Sequence, residues 1–291
     1  MGKITDLFSL SGKTAVVTGA SHGLGVTFAE ALAGQGAKLV LAARSEEKLK
    51  SVADKLNAAG HQAIAVKCDV SDREQVKGLM ETAVSRFGRI DVLVNNAGTA
   101  SETIVPEHVN DDAFLATVQV NLMGVWYCCH HAARYMLADG KGGSIINNAS
   151  IAGLGGIGNF YPAYQATKGG VINLTRSLAC SWADRAVRVN ALCPGWFPSE
   201  LTLPAFALPG FMDWVTQMAP MGRIGRPEEL AGALIFLASE ASSFMTGQAL
   251  EIDGGITAGT ERLPEVTLAA LQAAGLGELA RPIRPAKAEN A

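Results

Sequence analysis

At 291 residues, 48% of them hydrophobic, the chain is long enough to bury one large core. Its formal charge of −3 is spread along the sequence, which excludes the basic footprint of a nucleic-acid binder. No run of about 18 apolar residues occurs and no apolar segment opens the chain. The five cysteines (Cys68, Cys128, Cys129, Cys180, Cys193) have no metal-ligating spacing, so a cytoplasmic, metal-free protein with reduced thiols is expected.

Residues 13–18 (KTAVVT) form a short apolar run ending in glycine, the pattern of a buried parallel strand. A turn, Gly19-Ala20-Ser21-His22-Gly23-Leu24-Gly25, follows and opens a helical pattern. Strand, glycine turn and helix start together make an anion cradle, because backbone N–H groups and the positive helix end face the same point. The spacing is G-x-x-x-G-x-G rather than the commoner G-x-G-x-x-G. Residues 37–42 read as a second strand. About 20 residues past the glycines, where a carboxylate would hold a ribose 2′-hydroxyl, stand Ala43 and Arg44. A guanidinium without a carboxylate suits a 2′-phosphate, with His22 assisting when protonated; the plainer reading of Arg44 is a solvated strand-end arginine.

A mixed-charge amphipathic helix over 45–60 and a third strand over 63–66 lead to Asp69-Val70, with Asp69 placed to meet an adenine amine or to brace its turn. Ser71 and Glu74 have the spacing of a capping box for the next helix. A fourth strand at 90–94 ends in Asn95-Asn96-Ala97-Gly98, residues that suit a close cofactor approach or a plain Asn/Gly turn. Residues 111–138 read as one long helix with Asn121 near its middle, where asparagine is unfavourable without a kink or a buried partner. A fifth strand at 144–148 delivers Ser150. A helix over 162–183, a strand over 187–192, a helix over 227–239 and a last strand at 249–252 complete an α/β, doubly wound parallel sheet in one domain of about seven strands.

Tyr164 and Lys168 lie four residues apart in the helix that Pro162 opens. On a helix that places them on one face, about 6 Å apart along the axis. A phenol beside an ammonium is equipped to give a proton to a ketone oxygen or, as its anion, to take one from an alcohol. Tyr161 is the rival phenol, but it stands seven residues from Lys168, about 10.5 Å of rise and too far for direct coupling.

This ordered set resembles the short-chain dehydrogenase/reductase family, in its single-domain branch, over about residues 10–256. The motifs are Thr18-Gly19-x3-Gly23-x-Gly25, Asp69-Val70, Asn95-Asn96-Ala97-Gly98, Asn121, Ser150, Tyr164-x3-Lys168, Pro194-Gly195 and Asp253-Gly254-Gly255. The resemblance implies catalytic roles for four residues. Tyr164 would be the general acid or base, and Lys168 would hold the nicotinamide ribose and lower the tyrosine's pKa. Ser150 would bond the substrate oxygen, and Asn121 would hold a relay water. It implies a cofactor wall of Gly19, Ser21, Gly23, Leu24 and Gly25 at the pyrophosphate and Asp69 and Val70 at adenine. Asn96, Ala97 and Gly98 would stand by the adenosine ribose, and Pro194 and Gly195 by the nicotinamide. Ser199 stands where family members place a threonine on the cofactor. The cofactor so implied is a nicotinamide dinucleotide; Arg44 favours NADP(H), with NAD(H) as the alternative. A homotetramer or homodimer is implied, through the helices around Trp126 and Leu174.

Fourteen positions separate Ser150 from Tyr164, one more than the family's usual spacing, so the intervening loop is expected to be remodelled. Residues 196–221 occupy the place of a mobile lid and are rich in aromatic and aliphatic side chains, with Glu200 and Asp213 as their charges. Pro198, Pro204 and Pro209 inside it argue against a single lid helix. An apolar pocket for a hydrophobic secondary alcohol or ketone is expected. The alternatives are a 3-oxoacyl thioester reductase and a non-catalytic dinucleotide-binding protein. The catalytic domain is placed at 1–258, with a partly helical extension at 259–291.

Overall fold

The computed structural model describes residues 4–100, 105–158, 160–259, 269–270 and 273–274. The helical pattern read in the extension after residue 258 therefore lies almost wholly outside the described residues.

Seven strands form one sheet in the order β3-β2-β1-β4-β5-β6-β7. They are β1 (Thr14–Thr18), β2 (Lys38–Ala43), β3 (Ala63–Lys67), β4 (Val92–Asn95), β5 (Gly143–Asn148), β6 (Val187–Pro194) and β7 (Ala249–Ile252). Every pairing is parallel; Val16, for example, lies opposite Val40 on one side and Leu93 on the other. Such strands bury both faces, which is why β1 and β2 read as continuous apolar runs rather than alternating ones.

Helices cover the sheet on both sides. On one face lie α1 (Leu24–Gly34), α2 (Glu46–Ala58) and α9 (Glu228–Ala238), burying Phe28, Leu32, Leu49 and Leu234 against Val17 and Leu41. On the other lie α3 (Arg73–Phe87), α5 (Gly124–Ala138) and α6 (Pro162–Trp182), burying Leu79, Met80, Met136 and Val171 against Val16 and Ile145. A shorter helix, α4 (Asp111–Val118), leads into α5, and α7 (Leu203–Phe206) and α8 (Phe211–Met218) lie between β6 and α9.

Two local expectations change, and the expected break in the lid segment is present. The cap of α3 is Asp72, not the Ser71–Glu74 box: its carboxylate accepts the N–H groups of Glu74 and Gln75, and the helix starts at Arg73. Ser71 is occupied instead with Asp69 Oδ1, at 2.7 Å from its hydroxyl. The long helix read over 111–138 is interrupted by a π turn at Gln119–Met123 that contains Asn121. Segment 196–221 holds two short helices, broken at the Pro209–Gly210 corner where Gly210 has φ +75°.

Candidate active site

The chain leaves β1 toward β2 on one side and returns to β4 on the other, so a crevice opens above the carboxyl ends of these two neighbours. A cavity of about 830 Å³ occupies it. Every residue assigned to the cofactor from sequence lines this cavity except Gly25, which lies beneath the turn, and Ser150, Tyr164 and Lys168 line it as well. Asn121 is buried behind the wall.

The glycine turn is held from below. Gly19 has φ +65°, and a Cβ there would stand 2.8 Å from the Ala97 Cα, so turn and β4 end meet backbone to backbone. The Asn96 amide donates to the carbonyls of Thr18 (3.1 Å) and Gly19 (3.2 Å), while the Thr18 hydroxyl accepts the N–H groups of Asn96 and Ala97. The Asn96 side chain is thus a strut under the turn, on a residue that also lines the cavity. Helix α1 begins at Leu24 with Gly23 as its cap and no side-chain acceptor on its first N–H groups. These donors, the turn and the cavity's volume fit a dinucleotide pyrophosphate.

At the adenosine end, Arg44 lines the cavity and forms no ion pair with a described residue. Asp69 lines it too, but its Oδ1 accepts from the N–H and hydroxyl of Ser71, so the turn-bracing reading of Asp69 is realised. His22 sits across the mouth from Glu200, Nε2 to Oε2 at 3.3 Å, and Lys48 approaches the same carboxylate at 3.8 Å. Glu200 and Thr202 were missed as site residues; no local sequence signal marks them, because the fold of segment 196–221 brings them to the mouth. Ser199 lines the cavity with its hydroxyl 3.0 Å from that of Thr202.

At the chemical end, Ser150 follows β5 in extended conformation, and its Oγ accepts the Ala152 N–H at 3.1 Å. The Tyr164 phenol hydrogen-bonds to Ser150, so the two hydroxyls share one corner of the cavity. Tyr161 lies at the entry to α6, stacked edge-on against Phe160, and does not line the large cavity. The longer loop between Ser150 and Tyr164 is pinned by the Gln165 amide, which accepts the Ile157 N–H and donates to the carbonyls of Ile157 and Phe160. Gly153 lets this loop lie on α6: a Cβ there would stand 2.5 Å from the Lys168 carbonyl carbon.

Lys168 is buried, with Nζ 5.4 Å from the centre of the Tyr164 ring and 2.6 Å from the Asn148 carbonyl oxygen. Burial brings its pKa down to about 8, opposed by Cys193. Burial also pushes the Tyr164 phenol up, against the Ser150 hydrogen bond that pulls it down. This reverses the expected depression of the phenol by Lys168: the ammonium lies over the ring while its short bond goes to Asn148, so desolvation dominates. The Asn121 amide pairs with the Thr99 backbone at 2.8 Å in both directions and reaches the Thr167 hydroxyl at 3.4 Å. The π turn thereby satisfies an amide that an uninterrupted helix would leave in the core.

A second, smaller cavity of about 60 Å³ adjoins the first and shares Ser150, Tyr164 and Gly195 with it. Ile151, Ile157, Phe160, Trp196 and Leu201 supply its apolar wall, and no charged residue lines it among those described. Trp196 is buried at the centre of an aromatic cluster, its ring 5.8 Å from Phe160, 5.3 Å from Phe211 and 5.9 Å from Trp214. Much of the aromatic surface of 196–221 therefore packs on itself, and only part of it faces the pocket.

A family model described as Enoyl-(Acyl carrier protein) reductase matches residues 19–257. The gluconate 5-dehydrogenase of Gluconobacter oxydans is 40% identical over 252 residues, which cover 87% of this chain and 97% of that protein. The cis-4-hydroxycyclohexanecarboxylate dehydrogenase of Sinomonas cyclohexanicum is 43% identical over 251 residues, covering 84% and 97%. Among solved structures, a gluconate 5-dehydrogenase from Burkholderia cenocepacia in complex with NADP and tartrate superposes with a TM-score of 0.85 at 38% identity, covering 88% of this chain and all of that one.

Proposed function

The chain belongs to the short-chain dehydrogenase/reductase family, and from that premise we propose that its preferred cofactor is NADP(H) and its substrate a largely apolar alicyclic alcohol or ketone. It is an NAD(P)(H)-dependent oxidoreductase that interconverts a secondary alcohol and a ketone. Bound in the large cavity, the dinucleotide supplies or accepts the hydride. The chain's own residues handle the substrate oxygen. Ser150 holds it through its O–H donor, while the same Oγ accepts the Ala152 N–H. Tyr164 gives its phenolic proton to that oxygen in reduction and takes one back, as phenolate, in oxidation. Lys168 supplies positive charge beside the ring, and Asn121 orders the loop at Thr99 on the same side. Segment 196–221 acts as the lid that keeps water from this corner.

The observation that carries the substrate reading is the apolar pocket that meets the dinucleotide cavity at Ser150 and Tyr164. Among the described residues its wall offers no cation to a carboxylate or phosphate, which favours a ring ketone over gluconate or an acyl thioester on a carrier. NADP(H) is supported by Arg44, which lines the cavity without an ion pair among the described residues, and by the absence of a carboxylate at the end of β2. The same reading takes the chain as cytoplasmic and as a homotetramer or homodimer through α5 and α6, where Trp126 is partly exposed; sedimentation velocity decides the assembly.

The test is turnover of cyclohexanols, cyclohexanones, gluconate and a 3-oxoacyl thioester with both dinucleotides. Cyclic substrates with NADP(H) are expected to give the highest kcat/KM, and Tyr164→Phe to abolish turnover while dinucleotide affinity stays nearly constant. Preference for gluconate or the thioester would overturn the substrate reading. Activity that survives in Tyr164→Phe and vanishes in Tyr161→Phe would transfer the acid to the other phenol.

A further inference from the structure

One chain of hydrogen bonds joins the two ends of the large cavity. Lys168 Nζ donates to the Asn148 carbonyl at 2.6 Å. The Asn148 amide donates to Asn96 Oδ1 at 3.0 Å, and the Asn96 amide donates to the carbonyls of Thr18 and Gly19. The orientation of both amides follows from chemistry. Asn96 faces two carbonyls and must point its NH2 at them, which leaves its oxygen toward Asn148 and requires Asn148 to answer with its own NH2.

The position of this pair in the sheet explains what it does. The β4–β5 ladder ends at Asn95 opposite Asn147. Asn96 and Asn148 are the next rung, where the two strand ends are joined by side chains instead of backbone. On its other side Asn148 remains in register with Leu192 of β6, so the rung is attached to the sheet and not to a free loop. The arrangement leaves Asn148 Oδ1 buried without a partner among the described residues. A buried acceptor without a donor is unfavourable and persists where another requirement fixes the group's orientation.

We propose that Asn148 is a positioning residue for Lys168: its carbonyl receives the ammonium, and its amide ties that carbonyl through Asn96 to the glycine turn that cradles the dinucleotide. The proposal rests on the reading of Lys168 and the glycine turn as parts of one dinucleotide site. Under it, a shift of the turn and a shift of the lysine are one event. An Asn148 that merely stitched strand ends together would affect only thermal stability.

The test is NADPH fluorescence titration between about pH 6.5 and 9.5 on the wild type, Asn148→Leu, Asn96→Ala and the double variant, with melting curves alongside. Asn148→Leu preserves the side chain's bulk and removes the donor; Asn148→Ala serves as the second variant where the first does not fold. Either single change is expected to weaken NADPH binding about tenfold, with the double variant no worse than the more damaged single. The midpoint of the pH dependence should move down by about half a unit as the backbone carbonyl that receives the ammonium loses its tie to Asn96. A lowered Tm with unchanged affinity and midpoint, or losses that add in the double variant, would overturn the proposal and leave the function standing. Failure of the wild type itself to bind either dinucleotide would overturn both.

Discussion

Lys168 and Arg44 engage opposite ends of one cavity, and each leads to a measurable consequence. With its pKa brought down to about 8 by burial, Lys168 carries its charge below that pH and loses it above. Dinucleotide affinity that draws on the ammonium should therefore decline as pH rises through about 8, and titration of the cofactor-free protein checks it. Arg44→Ala should weaken NADPH binding by ~1.5–3 kcal/mol, the scale of a lost charge-assisted contact, and leave NADH nearly untouched; parallel isothermal titrations with the two dinucleotides settle it, and equal losses would refute the 2′-phosphate assignment. Ser150, Tyr164 and Lys168 could be read directly because their chemistry needs particular residue types at a particular spacing along one strand end and one helix. Glu200 and Asn148 could not, since each reaches the site through a long-range contact that no local pattern encodes. The direction of the Tyr164 shift was likewise out of reach, because burial is a property of the fold.

Helix boundaries followed the apolar periodicity to within a few residues, and the exceptions have physical causes. Asp72 rather than Ser71 caps α3 because Asp69 competes for the serine hydroxyl. The helix over 111–138 splits because Asn121 has to reach Thr99. Helix α9 owes its entry to Glu229, whose carboxylate takes two 2.7 Å hydrogen bonds from Arg223 and one of 2.8 Å from the Arg226 N–H. These hold the Glu229 carboxyl at about 2, against an ordinary 4.5. Its depressed pKa means that the contribution is present above about pH 4.5 and is lost as pH falls toward about 2. Glu229→Gln should cost about 1 kcal/mol at neutral pH, a modest figure because a pair about a third exposed is screened. Thermal melts of both proteins at neutral and acid pH would reveal it as a gap that closes on acidification.

Across the whole molecule, the alternation of strand and helix sufficed to indicate the doubly wound sheet, because parallel strands joined by right-handed crossovers leave few other arrangements. The pairing order and the two apolar cores emerge only with the coordinates. The amino-terminal edge of the sheet, away from the site, carries a buried carboxylate, Asp91, which accepts the Thr14 N–H at 2.8 Å and meets Arg89 at 3.2 Å and Lys13 at 3.6 Å. Asp91→Asn should lower stability by about 1–3 kcal/mol, the penalty for weakening a buried, charge-assisted contact. Chemical denaturation would measure the loss, with kcat/KM preserved because the change lies at the amino ends of β1 and β4. A fall in activity without a fall in stability would contradict the separation of the two ends.

The π turn at Gln119–Met123 has a further effect on the helices it joins. Each residue advances an α-helix by ~100°, so one wide turn slips the phase of everything after it relative to everything before. The inward stripe of α4 and that of α5 are consequently offset, and no unbroken seam of apolar side chains runs from Asp111 to Ala138. A single inserted residue at that point is a discrete displacement rather than a gradual bend, which makes the alignment of α5 against α4 an indexed quantity, set by counting.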